Sequence, residues 1–278
     1  MHTLRRFLTL WRLYAYMDFQ LLTRSLRLFM TWFITDTTVN VASILAMLLI
    51  AERFDGIGAW SKPQLLFMLG YATLVNGVLD TFFGYNVLFI SRRLGRGQLD
   101  HTLIQPQPLW LSLLTEGFMP IEGIGTVSIG AGLITWGLSH LPLTLSFTWL
   151  VLLLVNLIAS VAVVLAFSFT VGSLAFWAPR AAEEISTPLI RMFYHLKQFP
   201  FDGLSPLMLG LVTLIPVGFV AWYPSRFLLG LDPAPAAGIA TPLVALGMSV
   251  LARLAFTKGM QHYGRTGSQR YHALGHRS

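Results

Sequence analysis

The chain predicts an all-α, polytopic integral membrane protein, and three observations carry that class. Of its 278 residues, 55% are hydrophobic and only 11% charged, with a mean hydropathy of +0.65. Soluble domains carry roughly 25% charged residues, so one water-soluble core cannot hide this much apolar surface. The apolar residues fall in long continuous runs rather than in alternation, which excludes a transmembrane barrel. Helices are then the remaining way to satisfy the backbone in hydrocarbon.

Charge and cysteine content narrow the class further. The net charge of +7 and pI of about 10.1 would suggest nucleic acid in a soluble protein. Here the basic residues cluster at the ends of apolar runs, so a membrane face explains them and no nucleic-acid partner is implied. There is no cysteine, hence no disulfide framework or thiolate metal site. The first 27 residues are basic and interrupted, without the compact apolar run of a cleavable signal peptide.

Residues 1–28 read as an amphipathic interfacial helix. Leu4, Phe7, Leu8, Trp11, Ala15, Phe19, Leu22 and Leu26 share one face at helical spacing. Arg5, Thr9, Arg12, Tyr16, Gln20, Thr23 and Arg27 share the other, as in helices that lie in the plane of an anionic leaflet.

Residues 29–257 hold the spans. The first covers 29–51, with a polar early half in which Asp36 either caps a helix start or lies inside the bundle. The second, 64–90, puts Asn76, Asp80 and Gly84 on one face. Asp80 must then line a path or bond a neighbouring helix, because an ionised carboxylate is costly at membrane depth. The third, 109–138, contains Glu116, Pro120 and Glu122; Pro120 predicts a kink, and Ser128 with Gly132 a small-residue pair for close helix approach. The fourth covers 145–177 and is interrupted mainly by Asn156.

The fifth span has two readings. Hydropathy alone leaves 181–200 outside the membrane and makes 204–223 the span. Alternatively 181–200 is a semi-polar span with Arg191 and His195 one turn apart on one face. The last span covers 238–257, and 258–278 is a basic tail.

Six crossings place both termini on one side. Arg5, Arg6, Arg12, Arg24, Arg27, Arg92, Arg93, Arg96, Arg180, Arg253, Lys258, Arg265, Arg270 and Arg277 fall on that side. Arg53, Lys62 and Arg226 fall on the other, with Arg191 and Lys197 unassigned. The bias makes both termini cytoplasmic. No phosphate-cradling G-x-x-x-x-G-K-[ST] occurs, so the chain should hydrolyse no ATP itself and hold no cofactor. No H-E-x-x-H occurs, and His262, His272 and His276 lack metal-ligand spacing.

The polar loop 91–108 between the second and third spans is the segment around which these elements are arranged. Its Arg92, Arg93 and Arg96 suit a docking surface for a soluble partner or a purely topogenic role. Its pattern Arg96-Gly97-x-Leu99-Asp100-x-x-Leu103-x-x-Pro106 resembles the cytoplasmic loop of type-two ABC exporter permeases, in the subgroup with R-G-x-L-D-x-x-L-x-x-P. Phe199-Pro200, Ile215-Pro216-Val217-Gly218-Phe219-Val220 and Tyr223-Pro224 are similar to a second stretch of that family.

The resemblance implies six spans after an elbow helix, with 181–200 as the fifth span and a re-entrant outer hairpin over 204–230, broken by Pro206, Pro216 and Pro224. It implies a bacterial plasma (inner) membrane location and a dimer with an identical or related permease. Two cytoplasmic ATPase subunits would bind the ATP and magnesium, and residues 92–106 would touch them. Asp36, Asp80, Glu122, Arg191 and His195 would be candidates for lining the substrate path. A proton-coupled carrier using the intramembrane carboxylates is the alternative function; a non-transport membrane scaffold, or a membrane-embedded enzyme using Glu116 or Glu122, is a third.

Overall fold

The structure is a computed structural model and describes residues 2–53, 60–202, 204–232, 234 and 236–267. The described residues form helices and connecting turns. In chain order they are α1 (His2–Arg24), α2 (Leu26–Arg53), α3 (Lys62–Phe82), α4 (Gly84–Leu88), α5 (Ile90–Gly95), α6 (Leu99–Leu103) and α7 (Leu109–Thr115). They continue as α8 (Pro120–Ser139), α9 (Phe147–Gly172), α10 (Pro179–Leu196), α11 (Pro206–Leu214), α12 (Trp222–Leu228) and α13 (Ala237–Thr266). Short 3-10 turns cover Ser173–Phe176 and Pro216–Phe219.

Four described helices are long and apolar enough to cross a membrane: Leu26–Ala46, Lys62–Phe82, Phe147–Phe176 and Ala237–Thr266. α3 is the buried one. Its Leu65, Phe67, Tyr71, Val75 and Leu79 form the core with Val163, Val164 and Phe167 of α9 and with Ile190 and Phe193 of α10. Phe167 and Phe193 stack with centroids 4.3 Å apart.

The closest helix pair is α3 with α8, and its contact is a seam of glycines. Gly70 and Gly77 of α3 alternate with Gly123, Gly130 and Gly137 of α8, each set spaced by seven. A Cβ at Gly130 would stand 2.6 Å from the Leu74 amide nitrogen, and one at Gly77 2.6 Å from that of Val127. Backbone therefore meets backbone, which maximises dispersion contact where no hydrophobic force draws helices together. The pair expected from the sequence, Ser128 with Gly132, faces outward instead; a Cβ at Gly132 would meet nothing within 4 Å.

Two expected spans are shorter than their apolar runs. The run 64–90 breaks after Phe82, where Gly84 takes φ 54°. The run 109–138 splits into α7 and α8. Pro120 does not kink a helix; it opens α8 at its first turn, where a missing amide hydrogen costs nothing. The two breaks meet. A Cβ on Gly117 would lie 2.0 Å from the Phe83 carbonyl oxygen, and the Met119 amide donates to the Thr81 carbonyl at 2.8 Å.

The hydropathy reading of the fifth span fails at Ile215–Pro216, because residues 204–223 do not form one helix. Nine residues of α11 rise about 13 Å, under half of the roughly 30 Å hydrocarbon layer. α10 is continuous across Pro188, which sits on its exposed side.

α1 also differs from its expected face. Phe7, Leu10, Trp11, Tyr14, Ala15 and Asp18 turn toward the body, and Trp11 stacks on Phe118 at 4.6 Å. Leu4, Leu8 and Phe19 are exposed. The apolar surface is thus divided between protein and surroundings.

Adding methyl groups to a packed seam costs about 1–3 kcal/mol. Gly130→Val should therefore lower the thermal midpoint in detergent, read by tryptophan fluorescence, while Gly132→Val leaves it unchanged. Equal effects would place the seam elsewhere.

Candidate functional site

The basic loop is built around an internal arginine. Arg93 is only 9% exposed. One guanidinium nitrogen lies 2.5 Å from Glu116 Oε2, at the end of α7, and the other 2.5 Å from Thr102 Oγ1 on α6. A buried guanidinium needs this many partners, since an unpaired one would carry the full desolvation penalty. Gly97, at φ 65°, makes the turn that brings α6 back toward α5. The Gln98 amide donates to the Arg93 carbonyl at 3.0 Å.

Other helices hold the same loop. The Tyr263 hydroxyl of α13 donates to Asp100 Oδ1. Leu94 and Leu99 are buried in a second apolar cluster with Ile90, Leu113 and Phe176, against Phe256 and Met260 of α13. A Cβ on Gly172 of α9 would stand 2.5 Å from Ile90 Cγ2, and the Ser168 hydroxyl donates to the Leu88 carbonyl. α1 closes the loop from its other flank. Burial raises the Tyr14 hydroxyl above its ordinary range; Glu116 pushes the same way and Arg93 opposes. The Asp18 carboxylate accepts the Ile121 amide at 2.8 Å, capping the positive end of α8.

The outer rim is more apolar than the three arginines suggested. Arg96, Gln98 and His101 are exposed, but so are Leu103, Ile104 (81%), Pro106 and Trp110. Arg92 is half-buried. Of the three, Arg93 thus belongs to the interior rather than to the rim.

The polar residues expected at membrane depth separate into groups. The side chains of Asp36 and Glu122 lie outside the described residues. Asp80 is half-buried one turn from Asn76 on α3. Lys197, just past α10, is fully buried beside them. Its Nζ donates to Asn76 Oδ1 and lies 3.6 Å from the centroid of the Tyr194 ring, with the Asp80 charge acting on it. Gly84, expected on the same face, lies beyond the end of α3. Arg191 and His195 take the opposite side of α10. With Glu184 and Pro188 they form an exposed stripe, whereas Ser186, Ile190, Phe193 and Lys197 face inward.

Residues 37–267, most of the chain, match the family model described as ABC-2 family transporter protein. The chain belongs to that family. Comparison with curated proteins and with solved structures gives no match. Members of this family are membrane subunits of transport systems, and the matched region of this ABC-2 transporter runs from within α2 to the end of α13, so it includes the loop and the proline-broken segment.

That segment has a polar knot which sequence reading missed. Asp202 accepts the indole N–H of Trp60, which precedes α3, and that of Trp222 at 2.5 Å, and it pairs with Arg226. The Arg226 guanidinium also lies 5.2 Å from the Trp222 ring centroid. The four residues lie in three separate places along the chain, so local spacing could not reveal them. Lys197 was the more accessible omission. It is a cation left over by the charge count, on the helix neighbouring an Asn/Asp pair four residues apart.

Hydrogen bonds to charged groups contribute about 1.5–3 kcal/mol each. Arg93→Ala should therefore destabilise the ABC-2 transporter by on the order of 3 kcal/mol, and Arg96→Ala, an exposed side chain, by about 1 kcal/mol or less. Thermal unfolding of the two variants in detergent checks this. Equal midpoints would return Arg93 to the surface.

Proposed function

We propose that this chain is the permease subunit of an ATP-driven exporter, working with a separate ATPase subunit to move a hydrophobic or amphiphilic substrate across the plasma membrane. The functional unit is a dimer with a second permease, identical or related, above two cytoplasmic ATPase subunits that bind ATP and magnesium. Both termini and the α5–α6 loop face the cytoplasm. α1 is the interfacial elbow, and α2, α3, α8, α9, α10 and α13 are the six spans. Residues 204–230 form a re-entrant outer hairpin, and residues 258–278 a basic cytoplasmic tail. The pattern Arg96-Gly97-x-Leu99-Asp100 favours the subgroup of type-two exporters with that loop.

The observation that carries this reading is the mounting of the loop. Its inner side is bonded to α7 through Arg93–Glu116 and to α13 through Asp100–Tyr263, and it packs on α9 and α10. Its outer rim offers Leu103, Ile104 and Pro106. A partner that closes on nucleotide and grips this rim would move several spans together. A ligand shifts a conformational equilibrium only by binding its states differently, and a loop fastened to four helices transmits such a difference. The ATPase is needed because the sequence contains no G-x-x-x-x-G-K-[ST].

The outward stripe of α10 supports the dimer. Arg191 and His195, with Glu184, are unsuited to lipid, and a second permease or a path between the two would satisfy them. Within that dimer Asp36, Asp80 and Glu122 remain candidates for the path.

Leu103→Asp combined with Ile104→Asp should leave the fold unchanged but reduce co-purification of the ATPase at least tenfold. The assay is pull-down of the tagged permease expressed with its ATPase, beside a detergent stability measurement. Undiminished capture would remove the loop from the interface. Transport in vesicles given only a pH gradient, with no nucleotide, would replace the reading with a proton-coupled carrier.

A further inference from the structure

The outer wall made by α9 and α13 carries a groove of about 330 Å³, assigned no role above. Ala162, Ala166 and Phe169 of α9 line it with Ala252, Arg253 and Phe256 of α13. The groove exists because its floor is alanine: Ala166 and Ala252 are both buried. Around it α13 exposes Leu243, Leu246, Val250, Leu251 and Leu254, the surface that a hydrocarbon environment requires.

One residue does not suit that environment. Arg253 is exposed on the same wall, and Thr257 lies one turn further along the same face. No described carboxylate forms an ion pair with Arg253. Sixteen residues separate it from the start of α13, a rise of about 24 Å; with the hydrocarbon layer beginning at that helix start, Arg253 falls within the last quarter of its roughly 30 Å. From there a long side chain reaches the interface. An anion at that level would compensate its charge, and a guanidinium matches phosphate oxygens by two parallel bonds.

We propose that this groove binds an anionic phospholipid of the cytoplasmic leaflet. One acyl chain lies along Ala162, Ala166 and Ala252, and the headgroup phosphate accepts from Arg253 and the Thr257 hydroxyl. Basic pockets between spans on the cytoplasmic side bind anionic headgroups by the same charge complementarity. The inference rests on the reading that α13 spans the bilayer with its C-terminal end in the cytoplasm.

The test is native mass spectrometry of the full-length permease, washed in detergent and supplied with phosphatidylglycerol or phosphatidylcholine. The wild type should retain phosphatidylglycerol in preference. Arg253→Gln should reduce that retention at least tenfold and abolish the preference, and Ala162→Leu should reduce retention of both lipids by filling the groove. Equal retention by wild type and Arg253→Gln overturns the site. Displacement by millimolar inorganic phosphate overturns its lipid character, and a co-purifying polypeptide that cross-links to the groove overturns its occupant. The span is checked separately, since the chain has no native cysteine. Leu246→Cys should be shielded from an impermeant maleimide, and Arg265→Cys should react in inside-out vesicles only. If both react from both sides, the span reading falls and takes the site with it; if the labelling holds and retention is unchanged, the lipid site alone falls.

Discussion

Arg93 is buried between Glu116 and Thr102, and the position of the basic loop follows from that arrangement. A guanidinium taken from water must recover its hydration in directed bonds, and it presents its donors in a rigid plane. That plane sets α6 against α5 and brings the end of α7 to both. Glu116 is shared electrostatically with Tyr14, so α1 enters the same group, and Asp100 adds α13 through Tyr263. The apolar cluster of Ile90, Leu94, Leu99 and Phe176 fills the space between. Polar bonds supply direction here and the apolar cluster supplies close packing. Either alone would leave the loop attached but free to reorient.

The same demand for partners governs the rest of the bundle. Lys197 sits with Asn76, Tyr194 and Asp80, and Asp202 with two indoles and Arg226. The first group fastens the end of α10 to α3, and the second fastens the segment before α11 to the entrance of α3. Both groups therefore converge on the most buried helix. Between these polar fastenings α3 relies on the glycine seam with α8, where close backbone approach replaces side-chain burial.

Class, helix order and the exceptional character of the loop were legible in the sequence, because composition and run length follow directly from the solvent a chain must face. Direction within the loop was not. Arg92, Arg93 and Arg96 carry the same charge, and what separates Arg93 is a carboxylate 23 residues away on α7. Pro120 shows the same limit. Proline suits both a kink and a first turn, and the choice was made by Gly117 packing against Phe83, a contact between two breaks that each look like continuous span. The glycine seam was legible in principle. Gly123, Gly130 and Gly137 repeat every seven residues and match Gly70 and Gly77, whereas the four-residue spacing of Ser128 and Gly132 drew attention to the wrong face.

Exposed polar residues on α2 and α10 look alike in a hydropathy profile but differ physically. On α2 the hydroxyls of Thr31, Thr35 and Thr38 each donate to the carbonyl four residues earlier, at 2.9, 2.7 and 2.6 Å. Those hydroxyls are satisfied by their own helix, so they ask nothing of their surroundings and such a face can lie in lipid. Arg191 and His195 on α10 have no equivalent recourse. A guanidinium carries five N–H donors and a formal charge, more than the spare lone pairs of neighbouring helix carbonyls can compensate, and burial on the inner side is pre-empted by Ile190, Phe193 and Lys197. The stripe must therefore be satisfied from outside the subunit, by water or by another chain. That requirement, unlike the general apolarity of α13 or the threonines of α2, distinguishes α10 as the helix whose outer face is unsuited to lipid.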